Sequence, residues 1–260
     1  MSPLRYALCR QMLKSDPSSE KAQAFAKALL EKMDLSELPE EVCIVIGGDG
    51  YLLSVIAEEG PEYIYLGLNS GSLGFMLNDV EDFAASVEQI RSGSWSVNSV
   101  PRLFMDATSP TGEKFSSLAL NDVYLERMTG QTTHLRVWVD GVLAVERMVC
   151  DGLIVSTALG STAYSFSAGG AACHPNLRLM QLTAICPHVP RFPPITLPLD
   201  SVVEVEVLDS HKRPARVVTD GIDHPEAMRL KIVHAQDDIR LAFLDQHDAT
   251  ATLIRKVIST

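Results

Sequence analysis

Residues 44–53 read IVIGGDGYLL: an apolar run, three glycines around one acid, then a second apolar run. A short continuous apolar run bounded by turn residues suits a strand covered on both faces. Residues 51–59 read as a helix stopped by Gly60-Pro61. Strand, glycine-rich turn and helix commit this part of the chain to a crossover and to a parallel sheet.

The same rhythm runs on either side. Residues 5–9 are a short strand candidate. Ala22, Phe25, Ala26, Leu29 and Met33 recur at helical spacing within 18–33. Residues 64–68 form a second buried strand, and 80–90 a helix ending near Gly93. After Pro101 the pattern changes: residues 134–140 alternate, and Asp140-Gly141 is a hairpin signal leading into 142–148. Residues 153–156, 202–208, 215–219, 228–233 and 239–244 are further strand candidates, with one helix starting near Thr162. The expected architecture is an α/β N-terminal domain (parallel sheet with helices) over 1–100 and a β-rich C-terminal domain over 101–235. The segment 236–260 is either a tail or an element packed back on the first domain.

Composition narrows the function. At 260 residues and a formal charge of −11, the chain lacks the basic surface of a general nucleic-acid binder. A local set of amides or a metal ion can still hold a small anion. The sequence has no run of apolar residues long enough for a membrane span and no signal-peptide layout at its start, so the expected location is cytoplasmic. The five cysteines, Cys9, Cys43, Cys150, Cys173 and Cys186, are scattered without a C-x-x-C pair, which reads as reduced thiols rather than a zinc site or disulfide framework.

A glycine-rich turn between strand and helix aims backbone N–H groups and a positive helix end at an anion. Gly47-Gly48-Asp49-Gly50 has that context but lacks the lysine of a P-loop and the third glycine of a dinucleotide fingerprint. Mg²⁺ is the natural substitute for neutralising phosphate charge. Two readings of Asp49 stand on local sequence: a turn-forming acid, or a base accepting the proton of a hydroxyl nucleophile. Residues 67–75 form a second strand followed by a glycine-punctuated loop. Residues 151–170 are dense in hydroxyls and glycines, as expected around a polar ligand.

Gly47-Gly48-Asp49-Gly50, Asn69 to Phe75, Asn121-Asp122 and the block DGLIVSTALGSTAYSFSAGG at 151–170 together resemble the NAD kinases, in order and spacing, over nearly the whole chain. A GGDG turn alone is shared with diacylglycerol and sphingosine kinases; its combination with the long block is specific. The resemblance implies that ATP, or another NTP or polyphosphate, phosphorylates the adenosine 2′-hydroxyl of NAD to give NADP. It implies Asp49 as the base and a divalent cation such as Mg²⁺ on the donor phosphates, with no metal ligand assigned to a side chain. Phosphate and ATP contacts fall on Gly47, Gly48, Gly50, Asn69, Gly71, Gly74, Phe75 and Arg102. NAD contacts fall on Asn121, Asp122, Asp151, Ser161, Thr162, Ala163, Tyr164 and Ser167. The family also implies a homodimer or homotetramer and a site in the cleft between domains.

Several positions depart from the commoner family pattern: Tyr51 stands in place of a hydroxyl residue, Ala158-Leu159 in place of Pro-Thr or Pro-Ser, and Ile222 in place of Gln. The stretch Arg191-Phe192-Pro193 also differs from the usual Ser-x-Arg-Pro. Two alternatives to an NAD kinase are a non-catalytic NAD or NADP sensor of the same fold and a GGDG kinase acting on another alcohol such as a lipid headgroup.

Overall fold

The computed structural model describes residues 11–71, 74–245 and 247–258. The strand expected at 5–9 lies outside them. Two units result: 1–100 together with 238–260, and 101–237.

The first unit holds a five-stranded sheet in the order β1 (Met12–Ser15), β2 (Val42–Gly47), β3 (Ile64–Asn69), β17 (Ile239–Leu244) and β4 (Trp95–Val100). The first four strands run parallel and β4 pairs antiparallel with β17. Helix α1 (Glu20–Leu30) begins where Ser19 caps it by accepting the Ala22 N–H. Helix α3 (Phe83–Ser92) is capped by Asp82 and ended by Gly93 at φ 72°. Ala22, Ala26, Leu29, Val87 and Ile90 from these helices meet Ile44, Ile46, Leu66, Leu68, Ala242 and Leu244 in one core. Helix α2 (Asp49–Glu59) lies on the opposite face, its Leu52 packed on Gly67 of β3. Helix α5 (Ala249–Ile258) closes the described chain, where periodicity left tail and element undecided.

The strand read at 239–244 falls in the segment left as either a tail or an element packed back on the first domain; it is β17, inside the first unit's sheet between β3 and β4. Its run Ile-Arg-Leu-Ala-Phe-Leu is almost wholly buried, as a strand covered on both faces requires.

The second unit is a pair of six-stranded antiparallel sheets. One runs β12 (Ile195–Pro198), β11 (Leu179–Ile185), β10 (Gly152–Thr157), β7 (Asp122–Arg127), β14 (Ala215–Thr219), β15 (Ile222–Glu226). The other runs β6 (Lys114–Ala119), β5 (Leu103–Thr108), β16 (Arg229–His234), β13 (Val203–Leu208), β8 (Thr133–Val139), β9 (Val142–Cys150). Their facing sides share one core, with Met105, Val137, Val205 and Ile232 from the second sheet meeting Val123, Leu125, Leu153, Val155, Leu182 and Val217 from the first. The expected hairpin turn holds: Asp140 and Gly141 both take positive φ, 50° and 76°. Helix α4 (Tyr164–Ser167) follows a 3₁₀ turn at Gly160–Thr162.

Candidate active site

In the first unit the acid of the glycine turn belongs to the helix. α2 starts at Asp49, two residues earlier than its periodicity suggests, with Gly48 as a cap lacking any side-chain bond. Its first-turn N–H groups therefore have no partner within the helix, and an acid in that turn complements the helix dipole. The carboxylate accepts the backbone N–H of Phe75 (2.8 Å) and Met76 (3.1 Å). Gly74 is required beside it, because a Cβ there would stand 2.8 Å from the Asp49 oxygen. Gly47 is required for another reason: the Tyr51 ring lies over it, 2.8 Å from where a Cβ would be. Over Gly48 and Gly50 the space is open, so packing within the protein does not dictate those two glycines.

Asn69 ends β3 in register with Gly47, and the Ser70 N–H bonds the Gly47 carbonyl. The Asn69 side chain reaches in both directions, donating to Asp79 (2.8 Å) and accepting from the Gly71 N–H (2.9 Å). Gly47, Gly48, Asp49, Gly50, Asn69, Gly71, Gly74 and Phe75 are thus brought together at the carboxyl ends of β2 and β3.

In the second unit the first sheet buries apolar residues on one face and polar residues on the other. Gln181, Ser156 and Asp122 are direct cross-strand neighbours on β11, β10 and β7, at 1%, 0% and 5% exposure. Asp220 extends the row: it takes φ 48° ahead of Gly221 at φ 83°, and its carboxylate accepts the N–H groups of Leu120 (2.6 Å), Asn121 (2.8 Å) and Asp122 (3.1 Å). Burial, then the charge of Asp220, pushes the Asp122 carboxyl up to about 7. Burial pushes Asp220 up too, but its three amide donors favour the ionised form.

The hydroxyl-rich loop lies against this row. Gly160 abuts the backbone of Asn121 with no space for a Cβ. The Thr157 hydroxyl donates to the Leu120 carbonyl (2.7 Å) and accepts the Gly160 N–H (3.1 Å). Tyr164 meets Tyr124 edge to face, centroids 5.0 Å apart. Ser161 is fully buried, and its hydroxyl is engaged inside the loop with Ala158 and Cys173. Thr162 bonds back to Leu159, Ala163 bridges the 3₁₀ turn and α4, and Ser167 is exposed at the end of α4.

Asn121, Asp122, Ser161, Thr162, Ala163 and Tyr164 are therefore gathered in one place. Asp151 sits in an ion pair with Arg127 at 2.7 Å. Arg102 is buried, its Nε donating to the Asp237 carbonyl. Sequence reasoning missed Asp220, Tyr124, Gln181 and Thr183 as parts of this face. A signal existed in β11, where Met180, Leu182 and Ala184 alternate with Gln181 and Thr183.

An α/β unit with a glycine-flanked acid at a helix start, joined to a β-sandwich with a buried polar face, defines a nucleotide-handling enzyme of the GGDG type. A family model described as the ATP-NAD kinase C-terminal domain matches residues 120–249. A protein of Cereibacter sphaeroides named NAD kinase is 33% identical over 240 residues, covering 90% of this chain and 93% of its own. Yeast NADH kinase complexed with NADH shares the fold at a TM-score of 0.83 and 19% identity, over 96% of this chain and 87% of that one. An NAD kinase from Archaeoglobus fulgidus in complex with ATP gives 0.76 and 24%, over 96% and 99%. The chain belongs to the NAD kinase family.

Proposed function

We propose that the protein transfers the terminal phosphoryl group of ATP to the adenosine 2′-hydroxyl of NAD, forming NADP and ADP. The observation that carries this reading is Asp49, fixed by two backbone amides in the first turn of α2 beside open glycines. The hydroxyl oxygen attacks the terminal phosphorus, the bond to ADP breaks, and Asp49 takes the hydroxyl proton. General-base assistance of this kind is worth about 10²–10⁴-fold; positioning and charge neutralisation supply most of the rest.

In this reading the N–H groups around Gly47, Gly48 and Gly50, with the loop of Asn69, Gly71, Gly74 and Phe75 and the cation of Arg102, serve the donor phosphates. Asn121, Asp122 and Asp151 serve the nicotinamide side of the acceptor. Ser161, Thr162, Ala163, Tyr164 and Ser167 serve its adenosine. Mg²⁺ or another divalent cation belongs with the donor as the counter-ion of its phosphates, where it withdraws charge from the group in transfer. Among the described residues no group of three or more His, Cys, Asp or Glu side chains gathers to hold a metal ion. A homodimer or homotetramer is part of the proposal on the strength of family membership.

The test is purified protein with Mg²⁺, ATP and NAD, read by an NADP-specific dehydrogenase. Formation of NADP is expected. No NADP from ATP, GTP or polyphosphate would overturn catalysis and leave a dinucleotide sensor as the reading.

A further inference from the structure

The residues assigned to the acceptor between Gly160 and Tyr164 lie on a loop, and a loop holds its shape only where its polar groups are tied down. Gln181 of β11 ties this one at two points. Its side-chain oxygen accepts the Ser165 hydroxyl at 2.8 Å, and its side-chain nitrogen donates to the Ala171 carbonyl at 3.2 Å. The Ser165 hydroxyl is also 2.9 Å from that of Thr183. Gln181, Ser165 and Thr183 are all at most 1% exposed, so the bonds among these three form where a lost partner is not replaced by water, whereas Ala171 lies at the exposed edge of the loop.

The backbone closes over the same point. The Gly170 N–H donates to the Ser165 carbonyl at 2.8 Å, and a Cβ on Gly170 would strike both the Gln181 oxygen and the Ser165 hydroxyl. Ser161 ties the loop to itself, through Ala158 and Cys173. Gln181 ties it to the sheet. It grips α4 one residue beyond Tyr164 and, with the same amide, the returning strand of the loop.

We propose that Gln181 is a positioning residue for the dinucleotide: by fixing Ser165 and Ala171 it sets the shape of loop 160–171 and so the affinity for NAD, with no part in binding the donor. The proposal rests on the acceptor assignment above. Gln181 touches no reacting atom; it acts through the loop.

Two variants test it. Gln181→Leu keeps the bulk and removes both bonds. The KM for NAD is expected to rise about tenfold, the size of one lost buried hydrogen bond with a part-buried one beside it, while the KM for ATP and kcat change less than about threefold. Gln181→Glu keeps the acceptor for Ser165 but faces the Ala171 carbonyl with a carboxyl that bonds it only when protonated. A buried carboxyl titrates above its usual range, so the KM of this variant for NAD should approach the wild-type value near about pH 6 and exceed it severalfold near about pH 8. A merely structural role gives no such profile.

Amide hydrogen exchange of the ligand-free proteins supplies a readout independent of turnover: residues 160–171 should exchange faster in Gln181→Leu, with the core strands unchanged. A folded Gln181→Leu protein whose KM for NAD matches wild type, or rises in step with that for ATP, overturns the proposal and leaves the enzyme assignment standing. A wild-type chain that neither binds NAD nor forms NADP overturns the functional reading and this proposal with it.

Discussion

Gly160 sits flush against the backbone of Asn121, and neither residue leaves room for a methyl group between them. The contact joins the hydroxyl-rich loop to the β6–β7 turn, two stretches 39 residues apart in sequence that the proposed function assigns to the dinucleotide. We expect Gly160→Ala to force the loop off Asn121, lowering stability by about 1–3 kcal/mol and raising the KM for NAD while sparing that for ATP. Thermal unfolding and initial-rate kinetics on the same preparation check both parts.

Asp49→Asn should abolish nearly all NADP formation, because an amide cannot take the hydroxyl proton. It should also cost roughly 1 kcal/mol of stability, since the side-chain NH₂ cannot accept the second amide bond now made to Phe75 or Met76. NAD binding, followed by calorimetry, should persist. Wild-type turnover in this variant would remove the base assignment.

Asp122 gives the ligand-free protein a pH dependence with a defined sign. Its carboxyl rises from 3.8 to about 7 on folding, so the native chain holds this proton more tightly than the unfolded chain does. The stability it supports is complete below about pH 4 and is lost as the pH rises through about 7. The span corresponds to at most about 4 kcal/mol. Asp122→Asn cannot ionise, so its urea midpoint should fall less than wild type between about pH 5 and pH 8, a comparison denaturation curves at the two values provide.

Asn78 is a further stability test. Its fully buried side chain donates to the Gly67 and Ala242 carbonyls (2.9 and 3.1 Å) and accepts the Leu244 N–H (2.8 Å), stitching the loop after β3 to β17. Asn78→Ala leaves those groups short of partners and should cost about 3 kcal/mol, seen as a lower urea midpoint.

The parallel strands β2 and β3 were legible because continuous apolar runs between turn residues have few other uses, and the Asp140-Gly141 hairpin because its positive φ values demand those residue types. β1, β5, β7, β11 and β12 went unread, and so did β4, β6 and β15. Lys114–Ala119 and Trp95–Val100 are half exposed and half polar, and Ile222–Glu226 carries Pro225, a residue strands tolerate at sheet edges. The glycine-turn residues and the long hydroxyl block were visible as motifs. What supports them was not: Asp220 gripping three amides, or Gln181 gripping both sides of a loop, are tertiary relations between distant residues that no local pattern encodes.

The place of β17 between β3 and β4 also governs how the protein is made. On the ribosome the whole of residues 101–237 is synthesised before β17 exists, so β3 and β4 wait as unpaired edges for more than half the length of the chain. Such edges are templates for wrong partners. The first unit is therefore a late finisher despite supplying the earliest strands, and a translation stop anywhere between Val100 and Ile239 leaves its sheet without the strand that joins its two sides.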